Sequence, residues 1–129
     1  MAFAGGWHFE AQMHYELIRD DGAAQWRVST RAYRYRLAHV GHDIFRIHWH
    51  PAGVSTYHLP HVHLSLISRD EQLTTLDEHL PTGRLTFEDA IEWAIETGVP
   101  RARDDWRDVL AFSRERHLEH RSWSTRPPN

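Results

Sequence analysis

A chain of 129 residues and 15.2 kDa, 40% hydrophobic, 12% aromatic and 26% charged, has the size of one domain and too many aromatic side chains for a disordered tail. It contains no cysteine, which excludes a disulfide framework, thiolate metal ligands and a cysteine nucleophile. All 15 basic residues are Arg, so lysine Schiff-base chemistry is excluded too, and a net charge of −3 gives no overall attraction to nucleic acid.

No apolar run approaches the roughly 20 residues of a membrane helix. Met1–Trp7 lacks the basic and apolar regions of a secretory signal. A single cytoplasmic domain over residues 1–129, with no membrane partner, is the expectation. The other outlier of composition is 12 His in so short a chain.

In chain order, His8–Ile18 comes first. Phe9, Ala11, Met13, Tyr15 and Leu17 alternate with His8, Glu10, Gln12, His14 and Glu16, the period of a strand with one buried face. Asp20-Asp21-Gly22 supplies a turn, and Gln25–Leu37 reads as a longer strand. Its far half sets Tyr33, Tyr35 and Leu37 against Arg34 and Arg36, while Trp26 and Val28 fit that parity poorly. A bulge or two-sided burial accounts for the mismatch. Ile44–His50 sets Phe45, Ile47 and Trp49 against Arg46, His48 and His50.

Pro51, Gly53 and Pro60 bracket a connection long for a hairpin. Beyond it, His61–Ile67 sets Val62, Leu64 and Leu66 against His61, His63 and Ser65. Ser68–Gly83 is a polar connection with room for a short helix. Thr86–Thr97 has helical periodicity in Phe87, Ala90, Ile91, Ala94 and Ile95, a capping-box pattern in Thr86 and Asp89, and a stop at Gly98. A second helix runs from Asp104 or Asp105 to about Arg121, with Trp106, Val109, Leu110, Ser113 and His117 along one stripe.

Short connections make consecutive strands antiparallel neighbours. The fold expected is therefore α+β: a four-stranded antiparallel meander (about 7–67), with two C-terminal helices (about 85–122) covering its apolar face.

The opposite face is polar, and folding the hairpins there places Glu10 near Arg34, Arg34 near His48, and Arg36 near Arg46. It also places His48 near His63 and His50 near His61. Three chemistries fit this face. His48, His50, His61 and His63 can hold a divalent transition metal such as zinc, with Glu10 as a possible further ligand. Without any cofactor, His48 and His63, supported or replaced by His50 and His61, can shuttle protons at a phosphodiester while Arg34, Arg36 and Arg46 bind phosphate. The same Arg set can also bind RNA without catalysis. Taken singly, each His is explained by a solvated strand position.

Tyr33-x-Tyr35, Ile44-Phe45-Arg46 and Pro60-His61-Val62-His63 together resemble the motif run of TumE-type toxins of bacterial toxin–antitoxin systems, over about residues 26–66. Val62 stands where that family has a further basic or His residue. The resemblance implies a toxin-like hydrolase or ribonuclease-like phosphodiesterase acting on RNA, with a cognate antitoxin protein as partner. A His-rich metal-binding domain and a module pairing a partner at its sheet edge remain the alternatives, and the sequence leaves the oligomeric state open.

Overall fold

In a computed structural model, which describes residues 1–20, 22, 25–51, 57–67, 73–75 and 79–123, the alternating segments do become strands. They are β1 (Ala2–Phe3), β2 (Trp7–Asp20), β3 (Gln25–His39), β4 (His42–Trp49), β5 (His61–Ile67), β6 (Leu73–Thr75), β7 (Leu80–Pro81) and β8 (Arg121–Trp123). Two helices, α1 (Phe87–Thr97) and α2 (Trp106–His120), stand between β7 and β8. The class is α+β, as the periodicities predict.

The sheet is larger than a four-stranded meander. Strands β1 to β6 run in chain order, each antiparallel to the next, with β7 beside β5 and β8 parallel to β3. The described part of the connection 68–83 contributes β6 and β7, and the rest of it, where a short helix is expected, lies outside the described residues. The backbones of these two strands pair with a β5 edge that would otherwise be left without ladder partners.

The parity break in β3 is a bulge. His14 pairs with Ala32 and Tyr15 with Thr30, so Arg31 is the extra residue. The apolar positions shift from odd to even numbers across it. At the other end of β3, Val40 (φ 48°) and Gly41 (φ 79°) make the two-residue turn into β4, a conformation that suits the glycine and strains the valine.

Phe9, Tyr33, Tyr35, Leu37, Phe45, Ile47, Trp49 and Val62 form the sheet's share of the core, and α1 closes it with Ala90 and Ala94. Two alanines one turn apart let the helix lie close to the sheet. On either side, Phe87 packs on Phe9 and Tyr35, and Trp93 meets Phe45 edge-on at 6.0 Å. The predicted capping box is present, with Thr86 and Asp89 exchanging bonds of 2.7 and 2.9 Å. Just before it, the Leu85 amide donates to the Tyr33 hydroxyl, which ties the helix start to the sheet. Gly98 ends α1 at φ 140°, where an added Cβ would lie 2.8 Å from Trp7 Cζ2.

The second helix is not laid on the sheet. It lies against α1, and none of its residues joins the core cluster. Its stripe proves to be a polar seam: Ser113 donates to Glu88 at 2.8 Å, His117 meets the other Glu88 oxygen at 3.1 Å, and Arg114 pairs with Asp89 and Glu92. Burial pushes the Glu88 carboxyl up, but the bonds from His117 and Ser113 outweigh it and hold the group below its ordinary range. The helix also stops at His120, where the chain turns into β8.

Candidate metal centre

The strand registers bring the polar residues into two groups. Arg34 pairs with His48 and Arg36 with Arg46, as the sequence predicts. Two registers differ. Glu10 stands opposite Arg36, with Gln12 opposite Arg34. Between β4 and β5, Arg46 faces His63 and His48 faces His61, two residues away from the expected pairing. A tight turn dictates register; the long connection between these strands does not.

The shift still gathers the imidazoles. The His48 ring lies 5.5 Å from His61, 5.5 Å from His63 and 5.8 Å from His50, centroid to centroid. A fifth ring, His79, stands 4.8 Å from both His61 and His63. Two triads result, His48–His50–His61 and His61–His63–His79, and within each the potential ligand nitrogens lie within 4.8 Å of one another. A tetrahedral ion held at about 2.0–2.1 Å would need nitrogens roughly 3.4 Å apart, a gap that small side-chain rotations close.

His61 is the common member and the most enclosed, at 1% exposure. Its Nδ1 lies 2.7 Å from the Leu59 carbonyl oxygen. A carbonyl can only accept, so Nδ1 carries the proton and Nε2 keeps the lone pair that a metal requires. One ring nitrogen thus serves both triads, which makes them alternatives for one ion rather than two sites.

Burial pushes His48 down to about 4, and the neighbouring His61, His63, His50 and Arg46 add to it. Burial also lowers His61, against the opposing effect of its bond to Leu59. Both rings are therefore neutral near pH 7. Among the described residues, His48 Nε2 and His50 Nδ1 are buried without a hydrogen-bond partner. No ion pair joins His48, His50, His61 or His79 to a carboxylate among those residues. Glu10, the carboxylate proposed as a further ligand, is occupied elsewhere, 3.1 Å from His8 and 3.4 Å from Arg36.

The arginines form the second group. Arg36 bonds Asp43 at 2.6 Å, Arg46 reaches the other Asp43 oxygen at 3.4 Å, and Arg34 lies 3.7 Å from Glu10. Glu10 is held below the ordinary carboxylate range by the His8 hydrogen bond, with Arg36 adding to it.

Sequence reasoning missed His79, Asp43 and Tyr57, whose ring stacks on His79 at 4.7 Å and meets His61 edge-on. One signal was present. The tripeptide His-Leu-Pro occurs twice, as His58-Leu59-Pro60 and His79-Leu80-Pro81. The first copy supplies the carbonyl that orients His61, and the second supplies His79 itself. Pro81 and Leu80 pair with His61 and Val62, which draws the two copies to one strand.

Comparison with family models, with curated proteins and with solved structures gives no match to this chain. Among the described residues, no helix is long and apolar enough to cross a membrane.

Proposed function

We propose that this domain binds one transition-metal ion through its histidine-lined sheet face. The observation that carries the reading is His61, buried, fixed by Leu59 in the tautomer that leaves Nε2 for a ligand, and shared by two triads of imidazoles. An all-imidazole set suits zinc, nickel, copper or iron over the oxygen-seeking magnesium and calcium. Three protein ligands leave a tetrahedral ion one position for water or another small ligand, the arrangement of catalytic rather than structural zinc.

The geometry supports metal-free proton shuttling less well. His48, held neutral far below pH 7, is a poor acid there, and Arg36 and Arg46 are already engaged by Asp43. The toxin-like role and the antitoxin partner rest on the motif resemblance alone, and an RNA ligand on that resemblance together with the arginines of this face.

Titrating metal-stripped protein with Zn²⁺ against a chromophoric chelator tests the proposal. One equivalent should bind tightly to the native chain, and none to a His48→Gln/His61→Gln double variant that keeps its circular dichroism spectrum. Equal zinc affinity in the two would overturn it.

A further inference from the structure

Beside the His48–His50–His61 triad lies a hollow of about 300 Å³, bounded by Gln12, His14, Arg34, His48 and His50 among others. Its volume is at the lower end of ordinary ligand pockets, the size for a compact molecule. Among the described residues, no carboxylate lines it. We infer that this hollow binds a small oxyanion, a carboxylate or phosphoryl group, with one oxygen on the triad's metal ion and another on the Arg34 guanidinium. The inference rests on the metal reading and adds the ligand class.

Three observations converge on it. Arg34 and His48 are direct cross-strand partners, a relation that sets Cβ atoms about 4.5–5.5 Å apart. A guanidinium and an ion held by that imidazole are then near enough to share one small anion. Of the three arginines on this face, Arg36 and Arg46 are drawn to Asp43, while Arg34 is half exposed and lies 3.7 Å from Glu10, beyond hydrogen-bond distance. Gln12, opposite Arg34 on β2, brings an amide donor to the same hollow. A divalent ion held by neutral imidazoles keeps its full charge, so the hollow becomes strongly electropositive once the ion is present.

The test uses full-length protein loaded with Co²⁺, whose visible absorption reports its ligands, and inorganic phosphate and acetate as separate probes. Saturable spectral change should follow at least one probe. Arg34→Gln should weaken that binding about tenfold or more, Arg34→Lys should restore part of it, and Arg36→Gln, which removes the same charge, should leave it within about twofold. Tighter phosphate than acetate assigns the hollow to phosphoryl ligands, and the reverse assigns it to carboxylates. Equal weakening by Arg34→Gln and Arg36→Gln would overturn the inference, since net charge alone would explain it. Cobalt that loads but responds to neither anion would overturn it while sparing the metal reading. Failure of cobalt to load would remove both.

Discussion

Two clusters of ionisable side chains share one face of the sheet and solve the problem of proximity in opposite ways. Around Asp43, cations and anions alternate: Arg36 and Arg46 meet one carboxylate, and Glu10 meets His8 and Arg36, with Arg34 at the margin 3.7 Å away. That cluster is complete as it stands. Around His61, imidazoles gather in two triads, and His48 Nε2 and His50 Nδ1 are buried without a hydrogen-bond partner among the described residues. Like groups packed this way oppose each other's protonation and cost desolvation. Under the proposed metal reading, a cation that accepts their lone pairs removes both penalties.

The largest expected effect separates the clusters directly. His61→Gln removes the ligand common to both triads and should weaken Zn²⁺ binding by about a hundredfold or more in a chelator competition. His79→Gln or His50→Gln leaves one triad intact and should cost nearer tenfold. Outer-shell changes at metal sites typically cost 10–100-fold, which sets the scale.

The second effect concerns pH in the metal-free protein. His48 titrates near 4 in the folded chain and near 6.5 when unfolded, so between those values the unfolded state binds the extra proton. Stability is therefore highest above about pH 6.5 and falls as pH drops toward 4, by at most about 1.4 kcal/mol per pH unit for this one group. Urea midpoints at pH 7 and pH 5 should differ more for the native chain than for His48→Leu. Saturating zinc should protect against the decline until protons displace the metal.

The smallest effect belongs to the charged cluster. Asp43→Asn strands Arg36 beside Arg46 and should cost about 1 kcal/mol or less, given that all three groups are partly solvated. The loss should shrink in 1 M salt and leave zinc affinity unchanged. An Asp43→Asn variant that lost metal would show the two clusters to be one.

Much of this face was legible in the sequence because burial fixes strand parity. The apolar sides of β4, β5, the far half of β3 and the near half of β2 turn inward, although Tyr15, Leu17 and Trp26 at the other end stay exposed. That placed Arg34, Arg36, Arg46, His48, His61 and His63 together before any register was known. Arg34–His48 came out as expected because a bulge at Ile44 adds one residue to the register set by the two-residue turn at Val40-Gly41. His48–His61 did not, because a long connection imposes no register. His79 escaped because it lies between periodic segments and reaches the cluster through the pairing of β7, a two-residue strand too short to show alternation. The fate of α2 was misread for a related reason. Its stripe has helical spacing, but Ser113 and His117 answer to Glu88 on the neighbouring helix rather than to the sheet.

The parallel pairing of β8 with β3 has a consequence for the order in which the molecule assembles. Val28 meets Arg121 across roughly ninety residues of chain, a closure whose entropic cost is about 4 kcal/mol by simple loop scaling. The β2–β3 and β3–β4 hairpins close over a few residues, and the segments bearing His48 to His79 lie far nearer to one another than β3 does to β8. Contacts of short separation form first when local closure is cheap. The histidine cluster can thus be whole before the β3–β8 ladder closes this longest loop of the sheet.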